Sequence, residues 1–100
     1  METLTITING KKFPMKPIDL GLWLETAKIY DEIQKLEYLD AENINLRKEI
    51  FKIVFGLTEE EALKMPIEDV IPTYGNVVKI LQDMLISKVN KKNAVATDEV

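Results

Sequence analysis

Polar and apolar positions change their spacing along this chain, and each change marks an element. Over residues 4–8 the period is two: Leu4, Ile6 and Ile8 alternate with Thr5 and Thr7, as in a strand covered on one face. Asn9-Gly10 follows, the pair that best accepts the two positive φ angles of a type I′ turn. Residues 11–16 return with Phe13 and Met15 set between lysines. Pro14 has no N–H for a ladder, so this strand is expected to be an edge or to break there. A lone hairpin is marginal in water, so its apolar face is expected to lie on helices or against another copy.

The period then lengthens to that of a helix. Pro17 and Asp19 open a first helix expected over 18–39, with Leu22, Trp23, Thr26, Ala27, Ile29, Tyr30, Ile33 and Leu36 on one broad face. Leu24, and to a lesser degree Leu20, fall outside that face. Residues 40–45 read as a loop with cap candidates at Asp40, Asn43 and Asn45. A second helix, expected over 46–55, is apolar on most of its circumference and is predicted to be central. Arg47 lies inside its apolar arc and is expected to pack its stem while its head reaches solvent. Gly56 is the left-handed stop. Thr58 with Glu61 forms a capping box for a short helix over 59–65, so a helical hairpin is expected. Met65-Pro66 ends it. Residues 67–71 read as one turn of helix at most before Pro72, with a last helix over 73–89 that places Tyr74, Val77, Val78, Leu81, Met84, Leu85 and Val89 on one face. Ile86 is its apolar exception. Residues 91–100 lose all periodicity and are expected to be a flexible tail. The fold class is therefore α+β, mostly α: an N-terminal β-hairpin followed by a compact bundle of three to four helices, one globular domain over 1–90.

Composition narrows the chemistry. The 100 residues contain no cysteine and no histidine, which removes disulfides, thiolate and imidazole metal ligands, the usual general base and the cysteine nucleophile. Ser87 is the only serine and has no possible histidine partner. No catalytic residue, cofactor site or metal site is expected, and the chain is not expected to be an enzyme. The run Glu59, Glu60, Glu61 suggests a divalent cation. Yet adjacent helical positions point apart, and first-turn carboxylates already complement the helix dipole. The net charge of −4 opposes nucleic acid, and no segment is basic enough to serve as a footprint: residues 17–40 hold six acids and two bases. No apolar run reaches the length of a membrane span, and no basic-then-apolar signal opens the chain, so a cytoplasmic location is expected.

The order of elements resembles the small tail assembly chaperones of long-tailed bacteriophages and prophages. The residues that carry the resemblance are TITINGKKFPMK in the hairpin, LGLWLE early in the first long helix, and FGLTEEEALKMPIEDVI running into a final amphipathic helix. The likeness covers about residues 4–89; Pro72 departs from it. What it implies is a non-catalytic protein of virion morphogenesis, working in the host bacterial cytoplasm and absent from the mature virion. Its partners would be the helical tape-measure protein, which it would bind and solubilise, the tail-tube protein and further copies of itself as a homo-oligomer. A longer, frameshift-extended form is also implied, for which this chain would be the shorter product.

Apolar residues surplus to the core are the candidate partner-binding positions: Leu20, Leu24 and Ile86, with Trp23 and Tyr30 as groove walls. Two other readings compete. A small structural or connector protein would remain in the particle. A helix-turn-helix regulator would use the Gly56 turn, but its second helix would carry three glutamates where phosphate and base contacts are needed.

Overall fold

In a computed structural model, which describes the backbone from Leu4 to Glu99 and the side chains from Leu4 to Ile86, the chain runs β1 (Thr5–Ile8), β2 (Lys11–Pro14), α1 (Leu20–Gln34), α2 (Ala41–Phe55), α3 (Glu59–Leu63) and α4 (Ile67–Glu99). The class is the expected α+β, mostly helical. β1 and β2 pair antiparallel, from Thr5 opposite Pro14 to Ile8 opposite Lys11. Asn9 and Gly10 both take positive φ, 52° and 81°, as the type I′ turn requires. Met15 N–H donates to Leu4 C=O at 2.8 Å, which makes 4 and 15 a hydrogen-bonded pair. Thr5 and Pro14 are then a non-bonded pair, and the N–H that Pro14 lacks would have pointed away from β1. The proline therefore removes nothing from the ladder.

Ile6, Ile8, Phe13 and Met15 turn inward and are buried. They lie on a core whose centre is α2, the helix that α1, α3 and α4 all touch. Lys16 N–H donates to Val54 C=O at 2.8 Å and ties the hairpin to the end of α2. Ile50, Phe51, Val54 and Phe55 are nearly inaccessible. The Phe51 ring meets Phe55 at 6.3 Å and the edge of Tyr74 at 6.4 Å.

The helix ends differ from the expected bounds for identifiable reasons. Asp19 caps α1, accepting from Leu22 N–H at 2.9 Å. α1 then stops at Gln34 instead of 39. Lys35 and Leu36 bond back to Glu32 and Ile33 in a tightening last turn, and Asn43 Nδ2 takes the Glu37 carbonyl. α2 starts at Ala41, not 46, because Asp40 is its N-cap and accepts from Glu42 N–H. Gly56, at φ +66°, closes it, with Leu57 N–H reaching Lys52 C=O in the six-to-one bond of a Schellman end. α3 has its capping box in both directions, Glu61 N–H to Thr58 Oγ1 at 3.1 Å and Thr58 N–H to Glu61 Oε1 at 2.9 Å. α3 closes at Leu63, two residues before 65.

The largest departure is at α4, which begins at Ile67 and passes through Pro72 without interruption. Pro72 lies close to the helix start, so it forfeits a single bond, to the Glu68 carbonyl. Pro72 is exposed, and water can take that carbonyl. Side chains of the tail expected over 91–100 lie outside the described residues; the backbone helix bounds run to Glu99.

A Cβ at Gly56 would sit in the left-handed region and 2.9 Å from the Lys16 Cδ, the flexible end of a side chain. Gly56→Ala is expected to lower stability by about 1–2 kcal/mol, the left-handed penalty, as read by urea denaturation.

Candidate functional site

One hydrogen bond sets α1 against α4. Trp23 Nε1–H donates to Leu81 C=O at 3.0 Å, and Tyr30, two turns further along α1, is near enough the Tyr74 hydroxyl to influence its ionisation. Rising residue numbers on α1 thus meet falling numbers on α4, and the helices run antiparallel. They are not in full contact. Between them is a cavity of about 450 Å³, walled by Trp23, Thr26, Ala27, Tyr30 and Asp31 on one side and Val78, Leu81, Gln82, Leu85 and Ile86 on the other, with Ile50 of α2 as its floor.

Three of the five candidate residues, Trp23, Tyr30 and Ile86, therefore meet at one place. Leu20 and Leu24 do not line the cavity, but both are exposed, at 69% and 50%, and helical spacing puts Leu24 one turn before Ala27 beside it. Leu85 corrects the sequence reading: placed there on the core face, it is 48% exposed on the groove rim. Trp23 already sits at Leu81, so α1 has one turn left with which to cover the later residues of α4. The sequence held no local signal for this: the adjacent pairs Ile50-Phe51, Val54-Phe55 and Ile80-Leu81 are buried together, whereas Leu85-Ile86 are not. Val89 lies outside the described side chains.

There are two other hollows. A cleft of about 460 Å³ between the hairpin turn and α3 is walled by the charged Lys11, Glu60, Glu61 and Lys64 together with Ile8 and Phe13, and is of mixed polarity. A smaller one of about 280 Å³ lies among α2, α3 and the start of α4, under the exposed Leu63 and Ile67.

Two of the three glutamates in the run, Glu59 and Glu61, are engaged within the protein itself. Glu59 bridges Lys48 at 2.6 Å and Lys52 at 2.8 Å, binding α3 back onto α2, and Glu49 adds contacts of 3.4 and 3.5 Å to the same lysines. Hydrogen bonds from Lys48 and Lys52 hold the Glu59 carboxyl below the usual carboxylate range, and the same bonds raise both lysines. Glu61 is lowered first by the Thr58 N–H and then by the charge of Lys11 at 3.7 Å. Among the described residues no group of three or more aspartates or glutamates is placed to hold a metal ion. Nor is any described helix long and apolar enough to cross a membrane.

Arg47 is buried over most of its length: the residue is 6% exposed, its Nε–H donates to Asn43 Oδ1 at 2.7 Å, and its guanidinium lies 4.4 Å from the Tyr74 ring centre and 5.3 Å from that of Tyr38. The loop left by the early end of α1 is what brings Tyr38 there. Burial pushes the Tyr74 hydroxyl up to about 12, against the lowering effect of Arg47.

No protein-family model, curated protein or solved structure matches the chain.

The ion cluster predicts a pH profile. Glu59 and Glu61 have lowered folded-state pKa values, so their contribution is present above the ordinary glutamate pKa and fades as pH falls through the lowered values. Lys48 and Lys52 are raised, so theirs is present below the ordinary lysine pKa and fades as pH rises through the raised values. Urea midpoints are expected to be level from about pH 5 to about pH 10 and to fall on both sides. Glu59→Gln is expected to make both limbs shallower; an unchanged profile would show the cluster to be inconsequential.

Proposed function

We propose that this chain is a non-catalytic tail assembly chaperone of a long-tailed phage or prophage, which receives amphipathic helices of the tape-measure protein in the groove between α1 and α4. The observation that carries this is the groove itself: an apolar channel between two helices, rimmed by leucine and isoleucine side chains about half exposed. The sequence likeness in the hairpin, the LGLWLE segment and the LTEEEALKMPIEDVI stretch supports the same reading.

The dimensions suit a helix. The lining positions run from Trp23 to Asp31 on α1 and from Val78 to Ile86 on α4, about 12 Å of each at 1.5 Å per residue. A guest with apolar anchors at i, i+3 or i+4, and i+7 spans a similar length. Asp31, the charged side chain in the lining, favours a guest with a basic residue at that end, while Trp23, Leu85 and Ile86 make the other end apolar. A two-turn footprint gives weak binding per site, and repeated copies along a long client convert that into avidity. In this reading the protein acts in the host cytoplasm, self-associates, helps bring tail-tube subunits to the tape measure and leaves before the tail is complete.

Co-expression of the chain with the tape-measure protein tests the reading, with soluble client as the readout. Leu24→Asp and Ile86→Asp are expected to keep the far-ultraviolet circular dichroism of the parent and to weaken client binding about tenfold or more, the worth of one buried aliphatic side chain. Client kept soluble by both folded variants would show that the groove is not the binding surface. Mass spectrometry of purified particles separates chaperone from retained connector: the chaperone is absent.

A further inference from the structure

The two edges of the hairpin are not alike. Leu4 and Met15 form a hydrogen-bonded pair, and by alternation so do Ile6 with Phe13 and Ile8 with Lys11. The backbone groups of Thr5 and Thr7 on β1, and of Lys12 and Pro14 on β2, therefore point outward. The β2 edge is guarded against another strand. Pro14 has no N–H to offer, and the next outward N–H, that of Lys16, is taken by Val54 C=O. Lys11, Lys12 and Lys16 give that strand and its exit a positive charge. Proline and lysine are the residues with which sheets keep their edges from pairing.

β1 carries neither. Its four residues, TITI, are uncharged and β-branched, and Thr5 and Thr7 are exposed. Among the described residues no backbone group bonds to their outward N–H and C=O. Two donors and two acceptors thus stand in a row, disposed evenly about Ile6. An extended chain laid alongside satisfies all of them.

We propose that β1 pairs antiparallel with β1 of a second copy, about a two-fold axis at Ile6, giving a four-stranded sheet in the order β2, β1, β1, β2. Thr5 then lies opposite the partner's Thr7, and Thr7 opposite the partner's Thr5. Each pair exchanges two backbone hydrogen bonds, and the contact is the same patch on both copies. Charge selects this occupant and this edge. A copy brings an uncharged strand, so no charged side chain loses water, and threonine meets threonine across the ladder. The two lysine-bearing strands become the outer margins, about 14 Å apart at the usual strand spacing, where salt screens their repulsion. Pairing through β2 would instead set those lysines side by side. A strand of four residues covers less area than a permanent dimer uses, so monomer and dimer exchange. β1 does not line the α1–α4 groove, and the inference does not rest on the chaperone reading.

Sedimentation equilibrium of the purified full chain, without any client, tests it, so failure here leaves client binding untouched. The average mass is expected to rise with concentration, up to the millimolar range, from the 11.5 kDa of one chain toward twice that value. Thr7→Pro removes an outward N–H that the hairpin's own ladder does not use, as Pro14 does on the other strand. It deletes two of the four bonds between copies and is expected to weaken dimerisation about thirtyfold or more. Lys12→Pro makes the same change on the β2 edge and is expected to leave dimerisation as in the parent. Circular dichroism and urea midpoints check that both variants fold. Two further variants leave the backbone intact and decide the matter if Thr7→Pro does not fold. Thr5→Lys with Thr7→Lys sets lysine opposite lysine and is expected to weaken dimerisation about tenfold, although it lowers the net negative charge of the chain. Thr5→Glu with Thr7→Lys sets opposite charges face to face in this register and is expected to keep the dimer. The proposal is overturned if the chain stays at 11.5 kDa at every concentration, whether the edge is then left to water or taken by an extended segment of a different protein. It is equally overturned if folded Thr7→Pro dimerises as tightly as the parent, if Lys12→Pro weakens dimerisation as much as Thr7→Pro, or if the two charged variants behave alike.

Discussion

Burial of α2 is the constraint on which every other element depends. A two-stranded hairpin and a five-residue helix have no independent stability, and both are held here because α2 offers them apolar surface and a backbone anchor. Val54 serves in two ways. Its side chain is wholly inaccessible, and its carbonyl accepts from Lys16, so the strand that leaves the hairpin is bonded to the helix on which it packs. Two residues later Gly56 reverses the chain, and the Glu59–lysine bridges hold α3 against the helix it has just left. The hairpin and α3 are thereby both anchored on α2.

On the α1 side the covering is not complete, and this is where binding has a physical basis. α1 packs mainly on α2 but meets α4 through few residues, above all Trp23. A groove between helices that are fixed at the base and parted at the rim is already shaped, so little ordering opposes a guest helix. Exposed leucine and isoleucine side chains at its rim leave apolar surface that a second molecule can remove from water.

The charged groups divide into two kinds. Lys48, Lys52, Glu49, Glu59, Glu61 and Lys11 form bridges with partly exposed partners, where water and salt screen the attraction and the effect on stability is small. Arg47 is mostly covered, and its neighbours are two aromatic rings and an amide. Nearby ring faces stabilise a cation that has no carboxylate partner.

Much of this architecture was legible in the residue pattern because local rules sufficed. The hairpin with its Asn9-Gly10 turn, the Asp19 cap, the Gly56 stop, the Thr58–Glu61 box and the centrality of α2 each follow from spacing or from the backbone preference of one residue. Leu20, Leu24 and Ile86 were also identifiable as surplus, since a helical wheel shows which apolar side chains have no common face. What the pattern could not supply was decided by contacts between distant segments. α1 ends early because Asn43 captures a carbonyl at Glu37; α4 begins early because Pro72 falls where a missing bond opens to water; Arg47 is buried because two tyrosines from separate elements close over it. Periodicity records which side of an element is apolar, while the depth to which that side is covered depends on how far its neighbours extend, and only the folded chain sets that.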